Sequence, residues 1–263
     1  MRFVLAPVLV AAAALALAIR SPLPQSFWVA ATSAAAIFAI AAMVAAARSF
    51  RGGDFMRWAW SLSAVPYGTA TVSVVAAAVS PGAGPSALTL ALSITGNVIS
   101  VPGAALFVLA YRRAGFALVG RERAPALVIY AGGLALALVL GSIVIAPVVR
   151  ELAVAQPPIQ PALDLLSTLA DAACFVLALP LLRIAFAFRG GRLSWTWTLL
   201  AVTNLFWLTA DLAFGLAHGS AAATLVYRVI FLTANVAGGA AALSHRAAVA
   251  YALRAATRSP RRA

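Results

Sequence analysis

Eight strongly apolar stretches, each close to the length of a membrane span, follow one another along this chain of 263 residues. A helix needs about 20 mainly apolar residues to cross the hydrocarbon core of a bilayer. Hydrophobic residues make up 64% of the chain and charged residues 10%, which is outside the composition of a soluble globular domain. The sequence therefore predicts an all-α polytopic membrane protein, with segments at 3–19, 26–47, 57–80, 86–111, 125–149, 160–187, 194–217 and 222–245.

The basic residues follow the loops of this pattern. All 19 are arginines, and they give a net charge of +13. Alternate loops and the C-terminus hold most of them, whereas the intervening loops hold Arg20, Arg150 and little else. Because cytoplasmic loops carry the excess of basic residues, this asymmetry predicts a cell (inner) membrane protein with a cytoplasmic C-terminus. The arginines are not gathered into a soluble domain, so nucleic acid is not an expected partner.

Residues 1–20 have two interpretations, because their basic start, apolar run and small-residue ending fit either a signal peptide or a first transmembrane helix. Both leave 21–246 as a seven-helix transmembrane domain. Residues 247–263 form a basic cytoplasmic tail that is available to anionic lipid headgroups. This tail is too short to fold alone, so any signalling needs a separate partner, and a homo-oligomer is also open.

An internal repeat relates the two halves of the chain at a shift of about 138 residues. It predicts that 26–114 is duplicated as 160–246, with 125–149 as a linker helix. Both copies would point the same way across the bilayer, and such parallel repeats place a binding cleft between the halves. The matching pairs are FRGG at 50–53 and 188–191, W-x-W at 58–60 and 195–197, and T-x-N-V at 95–98 and 233–236.

Two stretches of the second half resemble the microbial (type I) rhodopsins. WLTADLAF at 207–214 is similar to the W-x-x-Y-P-x-x-W of the penultimate rhodopsin helix, with Trp207 and Phe214 at the positions of the aromatics that sandwich retinal. FLTANVAGG at 231–239 resembles the final helix, with Asn235 where the retinal-bearing lysine lies. The resemblance implies a seven-helix rhodopsin-like bundle, a 3+1+3 parallel repeat. The repeat is also similar, more weakly, to the SWEET-type carriers.

The departures from the rhodopsin pattern exclude the retinal chemistry of that family. The chain contains no lysine, so no retinal Schiff base can form and no covalent cofactor is expected. Phe231 replaces the counter-ion aspartate. The fourth segment lacks the Arg and Asp of the rhodopsin proton pathway and offers only Ser93, Thr95, Asn97 and Ser100.

Polar side chains inside the predicted membrane segments are the functional candidates, because burying them there costs free energy. Three adjacent segments each carry two polar residues seven apart, which is two helical turns and nearly one face. These pairs are Asp164 and Asp171, Asn204 and Asp211, and Arg228 and Asn235.

The depth of each residue in its segment predicts its role. Asp211 and Arg228 fall at matching depth on either side of the short turn at 218–220, so we expect an ion pair, either structural or functional. Asp164 lies near the outer surface, and Asp171 is the deepest acid and the candidate for proton coupling. Asn204 and Asn235 are expected to form interhelical hydrogen bonds or to contact a ligand.

The remaining aromatic and histidine residues are expected to have anchoring roles and not catalytic or metal-binding roles. The tryptophans of the two W-x-W motifs adjoin the cytoplasmic loops and are expected to be interfacial anchors. His218 and His245 lie near membrane surfaces at different depths, so no metal or haem site is expected. The sequence also shows no nucleophile elbow, H-x-x-x-H pair or phosphate loop, so no catalytic residues are predicted.

The main hypothesis is a non-enzymatic sensor or binder of a small apolar or amphipathic ligand. Its ligand-binding residues would be Asn235, Trp207, Asp211, Phe214, Asn97 and Asn204. A small-solute facilitator or proton-coupled carrier that uses Asp171 is the first alternative. A structural membrane subunit, in which the polar pairs serve packing alone, is the second.

Overall fold

The computed structural model describes residues 2–20, 23–79, 86–115, 123–155, 157–187, 191–216 and 220–258. Within these ranges every regular element is a helix. The helices are α1 (Arg2–Arg20), α2 (Gln25–Ala47), α3 (Phe55–Val79), α4 (Ala87–Arg113), α5 (Arg123–Val154), α6 (Ile159–Ala187), α7 (Arg192–Leu216) and α8 (Ala221–Arg258). Each corresponds to one predicted segment, so the all-helical class is confirmed.

Six of the described helices are long and apolar enough to cross a membrane, namely α2 and α4 to α8. This property indicates an integral membrane protein in contact with the lipid bilayer. The other two helices, α1 and α3, do not meet the same measure of length and hydropathy among the described residues. The expectation of a seven-helix rhodopsin bundle therefore stays a prediction.

Helices suit this chain because a lipid-embedded backbone must satisfy its own hydrogen bonds. The abundant alanine has the highest intrinsic helix propensity. Proline is present inside several helices, as at Pro66 in α3 and Pro180 in α6. Membrane helices tolerate such residues because neighbouring side chains and local adjustments satisfy the freed carbonyls.

Six helices form a closed ring, which consists of a first triplet, α2 to α4, and a second triplet, α6 to α8. Within each triplet, consecutive helices pack against one another. Between the triplets, α4 packs on α6 and α8 packs on α2. The last helix of each triplet thus contacts the first helix of the other, and the centre of the ring lies between the two triplets.

The remaining two helices lie outside the ring. α1 packs on α8, and α5 packs on α6 and α7. The outward side of α5 exposes large apolar side chains such as Leu127, Val128 and Leu138. A run of exposed apolar residues on a membrane helix indicates a lipid-facing surface.

Glycines allow the close approach of α8 to the first triplet, as their sequence context predicts. A Cβ atom at Gly239 would overlap the ring of Phe38 and lie 3.1 Å from Cα of Ala39 in α2. A Cβ atom at Gly238 would overlap the hydroxyl of Tyr67 in α3. The helices could therefore not pack this closely with a larger residue at either position.

Two boundaries differ from the sequence prediction. The linker helix predicted at 125–149 extends to Val154. The region 247–263, predicted as a separate tail, continues α8 as far as Arg258, and residues 259–263 lie outside the described part of the chain. The guanidinium of Arg192 lies 4.2 Å from the ring centroid of Tyr251, which connects this extension to the start of α7. A helix of 38 residues spans about 57 Å, well beyond the hydrocarbon core.

Candidate functional site

A cavity of about 430 Å³ lies at the centre of the ring, between the two triplets. Residues of α2 to α8 line it. Its lining reaches Glu151 at the end of α5, Gln160 at the start of α6 and Gly215 at the end of α7. In the other direction it reaches Met43 and Phe107. Protein interiors are normally packed as densely as organic crystals, so a space of this size is a candidate binding site.

Acidic side chains are concentrated in this cavity. Four of the six acids of the chain line it, and its lining, as far as the structure describes it, contains no arginine or histidine. Asp171 and Asp211 lie close enough for their charges to interact, and so do Asp164 and Asp211. The cavity is therefore acidic in a chain that is otherwise strongly basic. The four acids are Glu151, Asp164, Asp171 and Asp211.

Some of these polar atoms lack a hydrogen-bond partner within the described part of the protein. Oδ2 of Asp211, Oγ1 of Thr168 and Oγ of Ser73 are buried and unpartnered, and all three residues line the cavity. Thr168 is 1% exposed. Asp164, in contrast, accepts a hydrogen bond at 2.8 Å from Nε2 of Gln160 one turn away. A buried oxygen without a partner costs free energy, so the residues that carry these atoms are candidates for contact with a ligand.

Five aromatic rings form a continuous wall along the cavity, which we call the aromatic wall: Tyr67, Trp207, Phe231, Tyr227 and Phe214. Trp207 stands at its centre, with ring centroids 5.7 Å from Tyr67 and 4.8 Å from Phe231. The wall continues to Tyr227, whose ring lies 5.6 Å from Phe231 and 5.4 Å from Phe214. The site thus combines carboxylates with an apolar aromatic surface.

A second aromatic cluster closes the end of the ring that carries the arginine-rich loops. We call it the aromatic plug, and it consists of Trp60, Phe107, Trp197 and His245. Phe107 lies 4.8 Å from Trp60 and 5.7 Å from Trp197, measured between ring centroids. His245 lies 5.7 Å from Trp60 and 5.2 Å from Trp197. All four side chains are buried.

Most of the residues that the sequence singled out meet at the central cavity. Asn204 lines it while Nδ2 donates a hydrogen bond of 3.0 Å to the carbonyl of Leu200 in its own helix. Trp207 and Phe214 belong to the aromatic wall. The predicted residues that line the cavity are Asn97, Asp164, Asp171, Asn204, Trp207, Asp211 and Phe214.

Asn235 does not line this cavity. It is 1% exposed and lies in a narrow crevice between α2, α3 and α8, beside Ser33 and Thr71. Nδ2 donates a hydrogen bond of 2.7 Å to the carbonyl of Phe231. This bond lies within α8, so it is not the interhelical bond that we expected. Phe231, one turn earlier, faces the cavity in its place.

The predicted ion pair between Asp211 and Arg228 is wrong. The guanidinium of Arg228 donates a hydrogen bond to Oε1 of Gln25, and it lies 5.7 Å from the ring centroid of Trp28. Both partners are on α2, on the side of α8 that faces away from α7. Asp211 faces α6, where Ser167 and Thr168 are its neighbours. The two side chains therefore have different neighbours, on α6 for Asp211 and on α2 for Arg228. His218, in the turn between them, lies outside the described residues.

Half of the predicted interfacial tryptophans are core residues instead. Trp60 and Trp197 are both fully buried, whereas Trp58 and Trp195 are 53% and 37% exposed. His245 was expected near a membrane surface and is 3% exposed. Phe107 and His245 are separated by the repeat shift of about 138 residues, so the repeat relates His245 to an aromatic residue of the first triplet.

Sequence reasoning missed several polar or aromatic residues of the cavity, among them Glu151, Thr168 and Tyr67. Glu151 lies beyond the predicted end of its segment, and Thr168 has no distinctive motif. Tyr67 belongs to no motif that the sequence singles out. Among the described residues, no group of three or more His, Cys, Asp or Glu is arranged to hold a metal ion.

Comparison with known proteins found no family model, no curated protein and no solved structure that matches this chain.

Proposed function

We propose that this protein is a non-enzymatic integral membrane protein that senses or binds a small amphipathic molecule, without covalent attachment, between its two helix triplets. The observation that carries the proposal is the central cavity of about 430 Å³. Sites for small molecules in proteins commonly have volumes of about 300–1,000 Å³, with apolar walls and a few converging polar groups. The aromatic wall and the acids of α6 and α7 match that description.

A purely structural subunit would be expected to pack its centre. Here Asp211 lines an open space, and its buried Oδ2 has no hydrogen-bond partner in the described structure. Packing alone gives no reason to place a carboxylate there, because burying it without a partner costs free energy. A bound molecule would supply the missing partner.

A rhodopsin-like, duplicated architecture is part of this proposal. It is supported by the reciprocal contacts of α4 with α6 and of α8 with α2. It is also supported by the aromatic plug, since Trp60 and Phe107 correspond to Trp197 and His245 at the repeat shift. Trp207 aligns with a retinal-contacting aromatic residue in the resemblance to the rhodopsins, and it lines the cavity. With no lysine in the chain, the ligand cannot be a retinal Schiff base.

A carrier for a small solute is the second candidate, with the arginine-rich end cytoplasmic. It is supported by the different closure of the two ends of the cavity. The lining reaches the ends of α5 and α7 in one direction, while the aromatic plug closes the other direction. A carrier in one of its two access states would have this asymmetry. Solute flux into proteoliposomes, lost on Asp171→Asn, separates this candidate from a binder.

The experiment that tests the proposal compares the wild type with a variant whose cavity is filled. Ala104 lines the cavity, whereas Ala135 is exposed on the lipid-facing side of α5, so Ala104→Phe and Ala135→Phe form a matched pair. Native mass spectrometry of the purified proteins should find a small molecule retained by the wild type and by Ala135→Phe. Ala104→Phe should lose it. Identical occupancy, or an empty wild type, would refute a ligand site here.

A further inference from the structure

We infer that the ligand of this cavity is an organic cation, with an ammonium group on an apolar body. The inference rests on the proposed function and names the chemical class of its ligand. Three independent features of the described cavity support it: its charge, its unpartnered oxygens and its aromatic wall.

The charge of the cavity is opposite to that of the chain. The net charge is +13, yet the described lining holds four acids and no basic side chain. Arg228 of α8 is directed toward Gln25 and Trp28 of α2 and does not line the cavity. The carboxylates of Asp171 and Asp211 interact with each other and with no cation of the described lining. A bound cation would offset both their mutual repulsion and their desolvation.

The unpartnered oxygens are hydrogen-bond acceptors at the same place. Oδ2 of Asp211 on α7 has no hydrogen-bond partner in the described structure, and the hydroxyls of Ser167 and Thr168 on α6 lie beside this carboxyl group. An ionised carboxylate can only accept hydrogen bonds, and a protonated amine has only donors to offer. The acceptors of the cavity and the donors of an amine are complementary. Hydrogen bonds between charged groups are also stronger than those between neutral groups.

The aromatic wall completes the site for an ammonium group. Tyr67 and Asp171 line the same cavity, and so do Tyr227 and Asp211. A cation bound to either carboxylate would therefore be near an aromatic ring. Ring faces attract cations, and this is the recurrent way in which proteins recognise ammonium groups. Trp207 and Phe231 provide apolar surface for the rest of the molecule.

A metal ion fits the site less well than an organic cation. No group of three or more potential ligands is clustered closely enough in the described residues. Hard cations such as Ca²⁺ need about six to eight oxygens at short range. The volume of the cavity and the aromatic rings in its lining suit a larger ion.

The test uses three probes of similar size that differ in charge: N,N-dimethylbenzylammonium, the neutral N-benzylacetamide and the anion phenylmethanesulfonate. Binding to the full chain in zwitterionic nanodiscs is measured by isothermal titration calorimetry, with empty nanodiscs subtracted. The cation should bind at least about tenfold more tightly than the neutral probe, as expected for a charge-assisted interaction. The anion should not bind.

Charge-neutralising variants assign the effect to the cavity. Asp211→Asn and Asp171→Asn should each weaken the binding of the cation about tenfold and leave N-benzylacetamide binding unchanged. Retained binding of the neutral probe also shows that the variant is folded. Asp54→Asn is the matched control, because Asp54 lies in the loop before α3 and its side chain accepts from the backbone N–H of Met56, a cap that Asn can also provide.

Two results would overturn the inference. The first is equal binding of the neutral probe and the cation, in which case a site for an uncharged ligand, and hence the proposed function, would stand. The second is cation binding by both variants at the wild-type affinity, which would show that these acids do not hold the cation; the proposed function would then rest on the comparison with Ala104→Phe alone. If none of the three probes binds and the wild type also carries no molecule that Ala104→Phe loses, the inference and the proposed function both fail.

Discussion

Nε1 of Trp60 in α3 donates a hydrogen bond of 2.8 Å to Nδ1 of His245 in α8. Both side chains are buried, and Trp197 and Phe107 enclose them. Because Nδ1 is the acceptor, a neutral imidazole carries its proton on Nε2. The bond joins the two triplets at the closed end of the cavity, so it contributes both to stability and to the closure of that end.

His245→Ala should therefore destabilise the protein. The change leaves the indole N–H of Trp60 without its acceptor and opens a void in the aromatic plug. Together these two effects should lower the free energy of unfolding by about 2–4 kcal/mol. His245→Gln keeps a hydrogen-bond acceptor, so this variant should lose less stability. Unfolding in detergent, followed by circular dichroism, measures this difference. Trp58→Phe is the control at an exposed tryptophan, and a His245→Ala protein as stable as that control would contradict the role of the bond.

Gly239→Ala should also be destabilising, because the new methyl group would overlap Phe38 and press on the backbone of α2. Overpacking of this kind costs about 1–3 kcal/mol. Gly132 in α5 is the matched control, since a Cβ atom there meets nothing within 4 Å. Gly132→Ala should leave the unfolding temperature unchanged or slightly raised. If the two variants unfold at the same temperature, the close contact between α8 and α2 is absent.

The partners of Arg228 predict the outcome of two double-mutant cycles. Arg228→Gln and Asp211→Asn should change the free energy of unfolding additively, within about 0.5 kcal/mol, because the two side chains do not meet. Arg228→Gln and Gln25→Ala should be coupled, since these residues share a hydrogen bond. A large coupling energy in the first cycle would restore the ion pair that the sequence predicts.

The sequence predicts the helices of this protein well, since apolar runs and arginine-rich loops mark their ends. α2, for example, is predicted at 26–47 and found at Gln25–Ala47. The sequence did not predict the extension of α8 to Arg258, because the last turns of this helix carry arginines, which are typical of a soluble tail. A helix that leaves the bilayer needs no apolar sequence to continue.

The candidate site could be predicted in part. Seven-residue spacing places Asp164 and Asp171 on one face of α6, and both line the cavity. The same spacing links Arg228 and Asn235, but that face of α8 turns toward α2 and away from the cavity. Spacing fixes which residues share a face, whereas the rotation of the helix depends on packing contacts such as those of Gly238 and Gly239. Those contacts are not visible in the spacing of polar residues.

The tryptophans also show that the sequence does not establish which side of a helix faces the core. Position in the segment is similar for Trp58 and Trp60, yet one is exposed and the other buried. Two residues along a helix correspond to about 200° of rotation, so the two side chains must point to nearly opposite sides. Depth in the membrane therefore cannot separate an anchor from a core residue.

The central claim is that a small molecule can enter the space between the triplets, and Cys174 tests it most directly. It is the single cysteine of the chain, it lines the cavity, and Sγ donates to Oγ of Ser100 at 3.5 Å. Mass spectrometry of the folded protein after treatment with a small positively charged methanethiosulfonate should show modification of Cys174. The reaction should be slower in Ala104→Phe and slower with a negatively charged reagent of the same size. A thiol that reacts only after unfolding, or equally fast in the filled variant, would contradict the account.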